Sequence, residues 1–267
     1  ESSDRAFEEE VMLSGFANAN VKVEGSGVNY DQSQETYTAR YTHDTIALAF
    51  AITEEAIEDN LYDKISSRYT KALARSMSNA KQVKAAAPLN NGLPTVDGFD
   101  SGDGVSLFNT SHTTVSGTAV SNTLSTQADL NETSLEQALI DIAAFTDERG
   151  LRVAAKGVKM IIPSANQFSA ERLLKSQGRT GTADNDINAV ASMGMVPQGY
   201  RVNNFLTDSD SWYIITDVPN GMKMFTRAPL TTAMEGDFDT GNVRYKARER
   251  YSFGVSDYRG IYGCEGA

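Results

Sequence analysis

The chain has 267 residues, 40% hydrophobic and 22% charged, enough to bury a core in one large domain or two smaller ones. Its net charge of −11 gives no bulk attraction for nucleic acid or an anionic membrane surface. The single cysteine, Cys264, excludes an intrachain disulfide framework, and no stretch approaches the roughly 18 apolar residues of a membrane-spanning helix.

Residues 1–20 carry the run Glu8–Glu10 and a weak apolar set of Phe7, Met12, Leu13 and Phe16, which suits a short helix or a peripheral arm. Residues 21–50 are rich in Gly, Thr, Tyr and Val, and the strand-like density of Thr36–Ala49 predicts a hairpin with its tip near Gln32–Gln34. The strongest helix signal covers 53–87. Thr53 caps it, Glu54, Glu55, Glu58 and Asp59 favour its first turns, Lys81 and Lys84 its last, and Pro88 stops it. Ile57, Leu61, Ile65, Tyr69, Leu73 and Met77 recur every four residues, a stripe that winds slowly around the axis. At 1.5 Å per residue the helix is roughly 50 Å long, more than a small domain needs. From Ala87 to Asp129 large apolar residues are scarce, and a loop of about 40 residues inside a compact domain is usually functional or interfacial.

Thr133 and Glu136 predict a capping box ahead of Leu135, Ala138, Leu139, Ile142 and Phe145, with Gly150 closing that helix. A buried strand at 158–163, a helix at 164–175 and a polar loop at 177–188 follow. Strands at 200–206, 212–218 and 222–225 complete a mixed α/β section, the last two joined by the Pro219-Asn220-Gly221 turn. Val243–Val255 alternates: Val243, Tyr245, Ala247, Tyr251, Phe253 and Val255 on one face, Arg244, Lys246, Arg248, Arg250 and Ser252 on the other. This is a half-buried strand with a basic stripe, and only Glu249 breaks its apolar face.

The stretch GDFDTGNVRYKARERYSFGVSDYRG at 236–260 resembles the C-terminal part of major capsid proteins of tailed bacteriophages, in the Mu-type major head subunit group. TSLEQALIDIAAFTDERGL (133–151), TADNDINAVASMGMVPQGY (182–200) and SWYIITDVPNGMKMF (211–225) resemble the same family, so with the 53–87 helix the likeness covers most of the chain in order. It implies an α+β, HK97-like capsid fold. Its parts would be an N-terminal arm (1–20), an extended loop reaching over a neighbouring subunit (21–50), and a peripheral domain (51–132) with the spine helix. A mainly axial α/β domain (133–235) and a C-terminal strand returning to the peripheral domain (236–267) complete it. The implied work is self-assembly into the hexamers and pentamers of an icosahedral head enclosing double-stranded DNA. The implied partners are a portal protein, a scaffold, a maturation protease and, optionally, a decoration protein, with weak non-specific DNA contact and no membrane. The place is the virion, assembled in the host bacterial cytoplasm. The start at Glu1 leaves trimming and proteolytic maturation both open.

No constellation for catalysis, cofactor or metal emerges. His43 and His112 lack metal-ligand spacing, and His112 beside Ser111 lacks the third group of a triad; a soluble hydrolase using His112 is the alternative from a different class, and a cargo nanocompartment shell the alternative within the fold. Asp97, Asp100 and Asp103 are spaced by three, unlike a calcium loop, and Asp184 with Asp186 reads as a solvated loop. The candidate subunit-interface residues are Tyr30, Tyr37, Arg40 and Tyr41 in the hairpin, and Arg244, Lys246, Arg248 and Arg250 in the stripe. Ordinary strand packing explains the tyrosines equally well. A solvated face or contact with packaged DNA are the other readings of the stripe.

Overall fold

A computed structural model describes residues 1–59, 65–93, 99–179 and 186–267. In chain order it begins with strands β1 (Phe7–Leu13), β2 (Glu35–Thr42) and β3 (Asp44–Ile52), then helices α1 (Glu54–Glu58) and α2 (Ile65–Asn91). Next come β4 (His112–Thr113), β5 (Ala119–Val120), α3 (Glu132–Ala143), β6 (Gly157–Ile162), α4 (Gln167–Lys175) and α5 (Ala189–Met193). The chain closes with β7 (Tyr200–Val202), β8 (Trp212–Thr216), β9 (Met222–Gly236), β10 (Val243–Val255) and β11 (Ile261–Cys264). It divides into two compact units. The first holds Glu1–Glu8, Tyr41–Ala85 and Met224–Phe253; the second holds Glu9–Arg40, Ala86–Lys223 and Gly254–Ala267.

In the first unit the antiparallel sheet β3-β10-β9 packs its inner face on α2. Strand β10 alternates as its sequence demands: Tyr245, Ala247, Glu249 and Tyr251 turn inward, and Arg244, Lys246 and Arg248 outward. Leu73 and Met77 of α2 meet Ala247, Ile46 and Phe50, and Tyr245 stacks on Phe50 with ring centroids 5.0 Å apart. The four-residue stripe is buried only at Leu73 and Met77; Ile57 and Tyr69 are about half exposed, and Leu61 and the Ile65 side chain lie outside the described residues. Glu249, the residue that breaks the apolar face, is buried there against Lys81 of α2, with Nζ 3.0 Å from Oε2.

The predicted 53–87 helix differs from the structure at both ends. Thr53 precedes α1, but its side chain makes no capping bond. Pro88 does not stop α2, which runs on to Asn91. Proline removes one helical hydrogen bond and crowds the carbonyl four residues back, and tertiary bonds hold this last turn: Tyr213 Oη donates to Leu89 O at 3.2 Å, and Asn90 Nδ2 to Phe205 O at 3.0 Å.

The second unit is built on the four-stranded sheet β11-β8-β6-β7. Its core joins Trp212, Tyr213 and Ile214 of β8 with Met160 and Ile162 of β6 and with Leu135, Leu139 and Ile142 of α3. The α3 capping box is formed by Asn131 and Ser134, two residues before the predicted Thr133, because Asn131 Oδ1 accepts the Ser134 N–H at 2.9 Å and Ser134 Oγ accepts the Asn131 N–H at 3.0 Å. The helix ends at Ala143, and Gly150 instead takes a positive φ of 84° in the turn after Asp147.

The boundaries depart from the expected division at several places. The arm expected at 1–20 and the loop expected at 21–50 are each split between the units, and Gly254–Ala267, expected to return to the peripheral domain, belongs to the second unit. The segment after Ala86, expected in the peripheral domain, belongs to the second unit, where Leu89, Leu107, Phe108, Val120 and Leu124 enter the core. Strand β9, expected at 222–225, extends to Gly236 and passes to the first unit from Met224. Its Pro229 is tolerated because β9 is an edge strand, where a missing N–H breaks no central ladder.

Candidate subunit interfaces

The predicted hairpin is real but displaced. Its strands are β1 and β2, so the arm expected at 1–20 supplies one strand, and the segment 44–52 belongs to another sheet. The connecting loop 14–34 is tied at its base: the Ser14 N–H donates to Gln34 O at 2.9 Å, and the Gln34 N–H returns to Ser14 Oγ at 3.0 Å. Gln32–Gln34 is thus close to the base, and the turn lies at Val23–Ser26, where Gly25 has φ +80°. Asp31 fixes a second point, accepting the Ala17 N–H at 2.7 Å and the Arg149 guanidinium at 3.0 and 3.1 Å. The Ala17 and Gln32 backbone N–H groups, then the Arg149 charge, hold its carboxyl below the usual carboxylate range.

Beyond these ties the loop presents apolar surface to solvent. Val21 is 94% and Tyr30 98% exposed, and Phe16, Val23 and Val28 are each more than half exposed. Among the tyrosines singled out from sequence, only Tyr30 reaches solvent freely. Tyr37 packs on the core of the second unit with its hydroxyl buried. Tyr41 is buried in the first unit, edge-on to Phe225 at 4.8 Å. Their phenols serve the subunit interior. Arg40 is exposed and paired with Glu9 at 3.6 Å.

The basic stripe is divided as well. Arg244 pairs with Asp237 in the turn between β9 and β10, while Lys246 and Arg248 are exposed with no ion pair among the described residues. Arg250 is half-buried and lies near His43. That imidazole is buried between two hydroxyls, with Nε2 2.8 Å from Ser3 Oγ and Nδ1 2.9 Å from Ser252 Oγ. Burial first, then the Arg250 and Arg227 charges, lower the His43 pKa, and Glu8 opposes them.

His112 does not line a cleft. It is fully buried and held from three sides. Nδ1 lies 2.5 Å from Asp103, Nε2 lies 3.1 Å from Asn122 Oδ1, and the ring stacks on Tyr258 at 3.8 Å. Both ring nitrogens are committed, so the geometry leaves no lone pair for Ser111, and the hydrolase alternative loses its base. Burial raises the Asp103 pKa, but hydrogen bonding to His112 and the imidazole charge outweigh it and bring the carboxyl below its ordinary value. Asp103 is thereby spent on His112 and Ser101, Asp97 and Asp184 lie outside the described residues, and no group of three or more potential metal-binding side chains occurs among the described residues.

The profile of the phage capsid protein family matches residues 36–263. No curated protein matches the chain. Among solved structures, the capsid of an empty GTA particle superposes with a TM-score of 0.60 at 14% identity, covering 100% of this chain and 86% of that one. The capsid of Myoviridae phage XM1 gives 0.58 at 11%, covering 100% and 89%, and a virus-like particle from Pyrococcus furiosus 0.55 at 12%, covering 99% and 88%.

Proposed function

Because the chain belongs to the phage capsid protein family and is a structural major capsid protein with the HK97-like fold, we propose that its copies assemble as hexamers and pentamers closing into an icosahedral head around double-stranded DNA. The observation that carries this reading is loop 14–34. A pinned base and a nearly naked apolar tip make little sense in an isolated subunit, since exposed apolar side chains gain nothing until another surface covers them, at about 25 cal/mol per Å² buried. Tyr30 and Arg40 are the hairpin residues placed to meet a neighbour, and Lys246 and Arg248 those of the stripe. The partners of such a shell are a portal protein, a scaffold and a maturation protease, with a decoration protein optional and packaged DNA touched weakly by a chain of net charge −11. The head is built in the host cytoplasm and does no catalysis.

The test replaces residues 20–30 by a short Gly-Ser linker and compares particles by electron microscopy and sedimentation. A soluble, folded subunit that forms no shells is expected; closed shells of normal size would overturn the role given to the loop. Nuclease-protected DNA inside wild-type particles distinguishes a phage head from a cargo compartment.

A further inference from the structure

We infer that the outer face of the β3-β10-β9 sheet is a docking shelf for the acidic helix α1 of a second copy of this chain; this rests on the assembly reading above and names the partner of the basic stripe.

Register makes the shelf. Arg244, Lys246, Arg248 and Arg250 of β10 stand directly opposite Ala51, Ala49, Ala47 and Thr45 of β3. Directly paired residues share a face of the sheet, so a row of cations lies alongside a row of small side chains. No bulky group from β3 fences the row. A shallow cavity of about 390 Å³ opens beside the row, between Ala49, Ala233, Glu235, Arg244 and Lys246. Arg244 is occupied by Asp237. Lys246 and Arg248 keep their charge uncompensated among the described residues, on a subunit that is strongly acidic overall.

A sheet face of this kind takes an anionic partner with matching spacing. Alternate residues on a strand are about 6.7 Å apart, and residues four apart on a helix rise about 6 Å. Helix α1 offers that spacing: Glu55 and Asp59 are four apart, Glu58 lies between them on the same side, and all three are exposed with no ion pair among the described residues. Glu54 is turned away, its carboxylate lying over Gly241. The other acidic run, Glu8, Glu9 and Glu10, is committed to Ser3, Arg40 and Lys223 of its own chain. Each copy then carries one basic and one acidic half of a head-to-tail contact, the kind that closes rings.

A charge swap in the full-length chain tests this. Lys246→Glu with Arg248→Glu should raise the concentration needed for assembly by about tenfold or more, and so should Glu55→Lys with Glu58→Lys. All four substitutions together should restore assembly towards wild type. If the reversals misfold, disulfide trapping replaces them: a mixture of Arg248→Cys and Glu58→Cys chains should give linked dimers that neither chain gives alone. The inference fails if either reversed pair assembles normally, if the fourfold variant is no better than the pairs, or if the mixture traps no dimer. Normal shells that lose protected DNA on reversal of Lys246 and Arg248 would assign the row to nucleic acid and equally overturn it. Failure of the wild-type chain to form shells would instead sink the assembly reading itself.

Discussion

Removing Lys81 should harm this protein far more than removing its partner Glu249. The Glu249 side chain is 6% exposed and Lys81 35%, with the charges 3.0 Å apart. At an effective dielectric near 20 that separation is worth about 5 kcal/mol of attraction before desolvation and screening. Lys81→Met strands a carboxylate under the helix, a change that costs about 3–5 kcal/mol for a fully buried pair. Water already reaches a third of the lysine, so we expect about 2–3 kcal/mol. Glu249→Leu leaves a lysine whose stem can carry its ammonium to solvent, and it adds apolar surface beside Ala247 and Tyr251. Its cost should stay within about 1 kcal/mol, as should that of the double variant. Urea unfolding of the unassembled subunit, followed by far-ultraviolet circular dichroism, measures all three. Fluorescence of the single tryptophan is unsuitable, because Trp212 belongs to the other unit. A Lys81→Met cost below about 0.5 kcal/mol, or a Glu249→Leu cost exceeding it, would refute the reasoning.

His43 gives the subunit a pH dependence of definite sign. Its folded pKa is lowered, so its contribution is fully present above the unfolded value of about 6.5 and is lost as pH falls below that towards the folded value. Wild type should therefore lose stability between pH 7.5 and 5.5 more than His43→Gln does, and equal pH slopes would contradict this. Asn122 is fully buried; its amide donates to Leu107 O, Tyr258 O and Ile261 O, and its Oδ1 meets the Asn109 N–H and His112. Asn122→Ala should cost about 3 kcal/mol or more, read by Trp212 fluorescence on urea unfolding, and a cost under about 1 kcal/mol would show that the network is not needed. Gly260→Ala should be strongly destabilising, since a Cβ there would lie 2.3 Å from the Gly221 Cα; a wild-type melting temperature would mean that this backbone approach relaxes freely.

Periodicity carried the parts of the fold that depend on one face being buried. Strand β10 follows the predicted alternation from Val243 to Tyr251, beyond which Ser252 is buried and Phe253 half-buried, and Leu73 and Met77 sit where a four-residue step puts them. What sequence could not reveal depended on partners distant in the chain. Pro88 reads as a stop until Phe205 and Tyr213 supply bonds to the turn that contains it. The tail of β9 has no alternation because almost all of it is exposed, so its pairing with β10 is its main signature. The polar segment after Ala87 looked like an open loop because its apolar residues are sparse, yet Leu107 and Phe108 are fully buried. Its histidine is fixed by Asp103 and Asn122, nine and ten residues away. Of the candidate interface residues, the half-buried Tyr37 and the buried Tyr41 could not be told from the exposed Tyr30 by composition alone; only the placement of Tyr37 and Tyr41 on β2 and of Tyr30 in the connecting loop separates them.

The alternation of β10 explains how one strand can build the subunit and still present a charged outer face without conflict. In β10 successive side chains point to opposite faces, so the residues that build the subunit and those that face outward interleave at single-residue spacing. Ala247, at 2% exposure, touches Leu73 and Met77, while Arg248 beside it is exposed and stands opposite Ala47. The inner set must be apolar or internally neutralised, as Glu249 is by Lys81. The outer set is free of that demand, and here it is cationic in a chain whose net charge is −11. Keeping Lys246 and Arg248 unpaired costs the isolated subunit little, because each cation stays hydrated. In the shell proposed above the same contact would recur around every ring, so pairs too weak to hold two subunits together would gain force through repetition.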